Sequence, residues 1–102
     1  MLVEFSIIPV GRGESIGEEI AKVISIVAKS GLPYRVNPMG TVVEGEWDEV
    51  MAVIKKCHEE VIKASARAVS TITIDDRPSK PLDRLTEKLK SIEKRLGREV
   101  KK

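Results

Sequence analysis

The sequence predicts an α+β fold in which two helices cover one face of a four-stranded antiparallel sheet. Segments rich in β-branched residues alternate with segments that carry apolar residues three and four positions apart, in the order β-α-β-β-α-β. Turn-forming residues separate these segments, and one more helical segment follows the last strand. This order is typical of the ferredoxin-like sandwich, and 102 residues suit one domain spanning residues 1–102.

The first and last predicted strands are the longest. Leu2–Val10 alternates its side chains between two faces, and Val3, Phe5 and Ile7 form the inner one. Arg67–Asp75 is rich in β-branched residues, which favour strands. The residues of this strand predicted to face the helices are Ala68, Ser70, Ile72 and Ile74.

Residues 34–47, YRVNPMGTVVEGEW, predict a β-hairpin around which the chain is organised. Met39 and Gly40 are expected to be the two central turn residues, with Gly40 supplying a positive φ. A slip of one residue would exchange the two faces of the hairpin. The expected pairs are Pro38 with Thr41, Val36 with Val43, Tyr34 with Gly45, Asn37 with Val42, and Arg35 with Glu44.

Helical apolar spacing places one helix on either side of the hairpin. Ser15 and Glu18 have the spacing of a capping box, Gly31 is expected to end the first helix, and Asp48 is expected to cap the second. The inner residues are predicted to be Ile16, Ile20, Val23, Ile24 and Val27 in the first helix, and Val50, Ile54, Cys57 and Val61 in the second.

Residues 77–102 form a basic segment that is expected to pack or to mediate oligomerisation. It carries a net charge of +6, whereas the remainder carries −4. Pro81 can begin its helix and Gly97 can end it. The apolar seam is too short for an independent coiled coil, so it must dock on this domain or on a second copy. The seam residues are Leu82, Leu85, Leu89, Ile92 and Leu96.

Composition restricts the class of protein. No apolar run approaches the roughly 20 residues of a membrane-spanning helix, and the amino terminus lacks a signal-peptide pattern, so we expect a cytoplasmic protein. The single Cys57 forms no internal disulfide. Charged residues make up 33% of the chain, Gln is absent and Asn37 is the only Asn, a bias that indicates a thermophilic source.

The sheet face away from the two main helices is expected to mix polar and apolar residues. Such a face, next to an apolar helix seam, predicts an oligomer interface that encloses a small-molecule pocket. The residues expected there are Glu4, Ser6, Arg35, Asn37, Glu44, Thr71, Thr73 and Asp75, with Ile8, Val42 and Val69 among them.

Three segments of the chain resemble the YkoF-like thiamine-binding protein family. They are PMGTVVEGE at residues 38–46, Cys57-His58-Glu59 in the second helix, and Arg67 followed by IDDR at residues 74–77. The resemblance extends over essentially the whole chain, and PMGT-x-x-EG is its specific part. It implies a ferredoxin-like fold, assembly into dimers and tetramers, and binding of thiamine or its hydroxymethyl-pyrimidine portion without known catalysis. We expect no cofactor.

Thiamine joins a cationic thiazolium to an aminopyrimidine, so its site needs a carboxylate, neutral hydrogen-bonding groups and an apolar or aromatic wall. Glu44 is expected to supply the carboxylate, and Tyr34 or Trp47 is expected to supply the wall. Hydroxyl and amide groups are expected to form hydrogen bonds with the edge of the pyrimidine. The predicted ligand-binding residues are therefore Ser6, Tyr34, Asn37, Thr41, Glu44, Trp47 and Thr71.

Structural roles compete with these assignments. Glu44 can pair with Arg35 across the hairpin, Thr41 can serve turn geometry, and Asn37 can form a local hydrogen bond. At the level of function, the alternatives are a self-associating regulatory or scaffolding module, or a weak nucleic-acid binder that uses the basic helix. Only three aromatic residues and the interleaved acids of that helix weigh against nucleic acid.

Catalytic and metal chemistry have little support in the sequence. Cys57 and His58 are adjacent on a helix and point about 100° apart, so they cannot form a nucleophile-base pair with each other. Core packing is expected for Cys57, and a surface or interface position for His58. One His and one Cys cannot assemble a four-ligand zinc site within one chain.

Overall fold

The computed structural model describes residues 1–11, 17–79 and 84–97, and in the last range the side chains from Lys90 onward. It contains four strands and three helices in the predicted order. The elements are β1 (Leu2–Val10), α1 (Gly17–Lys29), β2 (Tyr34–Asn37), β3 (Gly40–Glu44), α2 (Trp47–Ala64), β4 (Arg67–Asp75) and α3 (Arg84–Leu96).

The strands form one antiparallel sheet in the order β2-β3-β1-β4, which confirms the ferredoxin-like prediction. β1 and β4 have the predicted bounds and pair along their whole length, with Phe5 opposite Ile72 and Ser6 opposite Thr71. Because paired residues share a face, this register places Val3, Phe5 and Ile72 on the face that carries the helices. Val3 and Phe5 are buried there, whereas Ile72 on the edge strand β4 is 37% exposed. The residues predicted for the open face all lie on it.

The hairpin forms, but its predicted register is wrong. Pro38 and Met39 are the turn residues, and Gly40 begins β3 without a positive φ. The two strands are displaced by two residues from the prediction, and an even displacement leaves each side chain on its expected face. The observed pairs are Tyr34 with Val43, Arg35 with Val42, Val36 with Thr41, and Asn37 with Gly40, so Arg35 does not lie opposite Glu44.

The inner face of α1 differs from the prediction near its start. Val23 and Val27 are buried as expected, but Glu19 extends the buried line, with 3% of its surface exposed. Ile20, which was expected there, is 45% exposed. Positions 19, 23 and 27 are four residues apart and lie on one side of a helix. Ile16 lies outside the described residues.

The helix ends show which capping predictions hold. α1 is followed by Gly31, whose φ of 79° confirms it as the stop. The prediction that Asp48 caps α2 is wrong, because the N-cap is Glu46, two residues earlier, in a capping box with Glu49. The backbone N–H of Glu46 donates to Glu49 Oε1 at 3.2 Å. The predicted cap Ser15 lies outside the described residues.

The core lies between the sheet and the α1-α2 layer, and all four predicted inner residues of α2 belong to it. It consists mainly of Val and Ile, whose branched side chains fill the space between a pleated sheet and a helix. Its members are Val3, Phe5, Val23, Val27, Val43, Val50, Val53, Ile54, Cys57 and Val61.

The third helix contacts β3, and its described seam residues are not enclosed by this chain. Ile92 is 48% exposed and Leu96 is 55% exposed. Gly97 ends the helix with a φ of 74°, as predicted, whereas Pro81 lies outside the described residues. At the end of β3, Glu44 lies on the open face yet is only 1% exposed, so that end of the face is covered.

None of the helices in the described part of the chain combines the length and the apolar character needed to cross a bilayer.

Candidate functional site

A cavity of about 340 Å³ lies at the tip of the β2-β3 hairpin, where strands of unequal length meet. β1 pairs with β3 only as far as Phe5, which lies opposite Thr41. Beyond that point β1 continues to Val10 alongside β4 alone. The hairpin turn, the second half of β1 and the first half of α1 therefore surround a space that no strand fills. We name it the hairpin-tip cavity.

Four polar residues line this cavity, and they come from four different elements. Glu19 on α1 and Thr41 on β3 are 3% and 6% exposed. Ser6 on β1 and Asn37 at the end of β2 are partly exposed. Because buried polar groups require hydrogen-bonding partners, Glu19 and Thr41 give the inner part of the cavity a defined hydrogen-bonding character.

The apolar part of the lining changes from the interior to the mouth. Phe5, Val23 and Val61 belong to the buried core and close the inner end. At the mouth, Ile8 is 53% exposed and Met39, at the hairpin turn, is 87% exposed. An apolar rim around a polar inner end suits a small ligand with a polar head and an apolar or aromatic body.

Gly40 in the lining owes its identity to close packing rather than to turn conformation. A Cβ at this position would lie 3.1 Å from the carbonyl oxygen of Phe5 and 3.3 Å from Glu4 Cγ. The carbonyl belongs to the central strand β1 and cannot move aside cheaply. A glycine here therefore lets β3 approach β1 at the edge of the cavity.

The structure brings together three of the seven residues predicted to bind a ligand. Ser6, Asn37 and Thr41 line the hairpin-tip cavity. The other four, Tyr34, Glu44, Trp47 and Thr71, lie outside its lining.

These four residues occupy separate positions. Glu44 is buried at the far end of β3, and Thr71 is exposed on the open face opposite Ser6. Tyr34 and Trp47 are 40% and 52% exposed, on β2 and at the start of α2.

Cys57 and His58 have separate structural roles. The Cys57 thiol is fully buried and donates to the carbonyl oxygen of Val23 at 3.7 Å, which confirms the core prediction. Burial raises the pKa of this thiol from 9.0 to about 11. His58 is partly buried, and its Nδ1 lies 2.6 Å from Ser70 Oγ on β4. Within the described ranges, His, Cys, Asp and Glu form no cluster suited to a metal ion.

The sequence profile of the thiamine-binding protein family matches residues 3–93. The chain belongs to the thiamine-binding protein family. A family relative, a UPF0045 protein of Mycobacterium bovis, is 40% identical over 99 residues, which are 96% of each chain. A UPF0045 protein of Synechocystis is 36% identical over 94 residues, covering 91% of this chain and 77% of its own.

Solved structures of similar proteins have the same fold as this member of the thiamine-binding protein family. A Methanocaldococcus jannaschii protein superposes with a TM-score of 0.83 at 38% identity, covering 89% of this chain and 93% of its own. A Thermotoga maritima protein proposed to act in thiamine biosynthesis or salvage superposes with a TM-score of 0.73 at 25% identity, covering 85% and 95%.

The residue that the sequence reasoning missed is Glu19. It was overlooked because Ile20 fits the helical apolar spacing and Glu18 fits a capping box. The sequence did contain a signal for Glu19. It lies four residues before Val23 and eight before Val27, and this spacing places all three residues on the buried side of α1. An acidic residue on such a line marks a polar site in or beside the core.

Proposed function

We propose that the protein is a non-catalytic binding protein that takes thiamine or its hydroxymethyl-pyrimidine moiety into the hairpin-tip cavity. The observation that carries this proposal is a cavity with two buried polar side chains, Glu19 and Thr41, in a member of the thiamine-binding protein family. Its volume of about 340 Å³ falls at the lower end of the roughly 300–1,000 Å³ of small-molecule pockets, so it suits one small molecule.

The chemistry of the lining matches the aminopyrimidine half of thiamine. The exocyclic amine donates hydrogen bonds and the ring nitrogens accept them. The Glu19 carboxyl group can accept from the amine, and the hydroxyl of Thr41 and the amide of Asn37 can donate to the ring. The thiazolium would then lie toward the apolar rim formed by Ile8 and Met39.

The location of the site is tested by a matched pair of substitutions. Thr41→Val removes a hydroxyl from the cavity, and Thr71→Val removes one from the open face at the sequence-predicted alternative position. We expect Thr41→Val to weaken thiamine binding by about threefold to tenfold, since one hydrogen bond contributes about 0.5–1.5 kcal/mol. Thr71→Val should leave affinity within about twofold of wild type.

Isothermal titration calorimetry measures these affinities, and thermal melting checks that each variant is folded. Thiamine should also raise the melting temperature of the wild-type protein, by mass action. A loss confined to Thr71→Val would move the site to the open face. A flat titration with thiamine and with the pyrimidine, each at millimolar concentration, would refute binding altogether.

We further propose that the protein self-associates into a dimer or tetramer through the open sheet face and α3. The support is the exposure of apolar residues on both elements. Ile8 and Val69 on the open face are 53% and 42% exposed, and Ile92 and Leu96 on α3 are about half exposed. Clustered apolar exposure of this kind is typical of interaction surfaces.

A further inference from the structure

The direction of the backbone groups of β1 follows from a hydrogen-bonded pair at its start. Met1 and Gly45 exchange two backbone hydrogen bonds, of 2.8 and 3.1 Å, in register with the pairing of β1 and β3. Such pairs recur at every second residue of an antiparallel ladder. The odd-numbered residues of β1 therefore turn both their N–H and their C=O towards β3, and the even-numbered residues turn theirs towards β4.

The pairing of β3 gives the same result from its other side. The backbone N–H of Glu44 donates to the carbonyl oxygen of Pro33 at 3.0 Å, so the even-numbered residues of β3 face β2 and the odd-numbered ones face β1. Phe5 and Thr41 are then the last hydrogen-bonded pair between β1 and β3. Ile7 is the next residue of β1 that faces this side, and among the described residues none pairs with it there.

The N–H and the C=O of Ile7 therefore point along the sheet, past the end of β3, into the space beside the hairpin. Ile7 is partly buried and belongs to the lining of the hairpin-tip cavity. A backbone donor and a backbone acceptor that lie side by side each require a partner, which in an antiparallel sheet is the facing residue. In this cavity a bound molecule can take the place of that residue.

Pro9 supports this geometry from the sequence. β1 is an inner strand, where a proline ordinarily removes a ladder hydrogen bond. Pro9 is odd-numbered, so its missing N–H falls on the open edge, and the ladder with β4 continues to Val10 opposite Arg67. Pro9 also lines the cavity and presents only a carbonyl there. The edge between Phe5 and Pro9 thus offers one complete donor-acceptor pair, at Ile7, which is too little to add a peptide strand.

We infer, on the basis of the function proposed above, that the backbone of Ile7 binds a flat heterocycle with a ring nitrogen next to an exocyclic amine, as in an aminopyrimidine. The ring nitrogen accepts from the Ile7 N–H, and the amine donates one hydrogen to the Ile7 C=O. The second amine hydrogen is left for Glu19, and the second ring nitrogen is left for Thr41 or Asn37. Because the spacing of the two backbone groups is fixed, they select a ligand by its adjacent donor and acceptor atoms.

The open edge can be tested without a ligand. Ile7→Pro and Ile8→Pro each delete one backbone N–H, but that of Ile7 faces the cavity whereas that of Ile8 faces β4, opposite Val69. We expect the urea midpoint of Ile8→Pro to fall well below that of Ile7→Pro, although Ile8 is the more exposed side chain. A midpoint for Ile7→Pro as low as that for Ile8→Pro would overturn the open edge.

The contact with the ligand is tested by titration calorimetry with the hydroxymethyl-pyrimidine moiety of thiamine. Ile7→Ala loses the same side chain as Ile7→Pro but keeps the N–H. We expect Ile7→Pro to bind about threefold to tenfold more weakly than Ile7→Ala, the effect of one hydrogen bond. Equal affinities would overturn the role of the Ile7 N–H while leaving pyrimidine binding intact.

A second comparison needs no variant. Wild-type protein should bind the pyrimidine at least about threefold more tightly than the same pyrimidine without its amine. Equal binding of the two would overturn the proposed class of ligand. Absence of binding by the pyrimidine and by thiamine would overturn the proposed function and the ligand contact together, whereas the urea midpoints would still decide whether the edge at Ile7 is open.

Discussion

The buried thiol of Cys57 provides a quantitative test of the core. The chain has one cysteine, so a thiol reagent reports on this residue alone. Burial holds its pKa at about 11, against 9.0 for an exposed thiol. At pH 8 the reactive thiolate fraction is then about 0.1% in the folded chain and about 10% in the unfolded chain, a hundredfold difference before steric protection is counted.

Steric protection adds to this difference because Cys57 has no exposed surface. Labelling must pass through opened molecules, whose fraction is below about 10⁻³ for a domain of ordinary stability. We expect labelling by an aromatic disulfide reagent at pH 8 to be at least about a thousandfold slower in buffer than in denaturant. Rates within about tenfold of each other would show that the thiol is accessible and that the packing of α2 described above is wrong.

The raised pKa of Cys57 also predicts how the stability of the protein depends on pH. Because the folded thiol stays protonated while the unfolded thiol ionises near pH 9.0, unfolding releases a proton between pH 9 and about 11. The free energy of unfolding should therefore fall as pH rises through this window, by about 2–3 kcal/mol in total. Cys57→Ala lacks the group, so the difference between urea unfolding curves of wild type and variant isolates its contribution from those of Lys and Tyr.

Two further predictions concern backbone conformation and assembly. Gly31→Ala should destabilise the protein by about 1 kcal/mol in urea unfolding, because a Cβ there has open space but φ is 79°. Gly17→Ala, which also has open space but no positive φ, should be neutral or slightly stabilising, and equal losses in both variants would contradict the explanation. Ile92→Glu should lower the mass measured by light scattering if α3 mediates assembly, whereas Ser91→Glu, at an exposed polar position, should not. An unchanged mass for Ile92→Glu would show that this position lies outside the interface.

The fold was predictable from the sequence because its signals are local and repeated. The bounds of β1 and β4 and the inner residues of α2 each rest on several periodic positions, so one misread residue does not change the result. The hairpin register rests instead on a short turn. Gly40 is a common turn residue, but here the close approach of β3 to Phe5 accounts for it. That reason is invisible until β3 is placed beside β1.

The site was less predictable because it arises from a difference in strand length. The sequence predicted Ser6, Asn37 and Thr41 as ligand-binding residues, and these three line the hairpin-tip cavity, since the hairpin and β1 were both recognised. The sequence could not separate these three residues from Thr71 or Glu44, because no local pattern indicates that β3 pairs with β1 only as far as Phe5. Glu19 joins the group through packing of α1 over that gap, which is a tertiary property.

The position of the cavity also bears on how binding relates to assembly. Its lining is built from β1, α1, α2 and the hairpin of one chain, whereas the exposed apolar residues of α3, Ile92 and Leu96, lie outside it. A ligand held in this cavity can therefore be bound by a single subunit. A site on the open face would instead require a second subunit to enclose it. Thiamine affinity that survives dissociation by Ile92→Glu favours the cavity, and affinity that is lost with the oligomer favours the shared face.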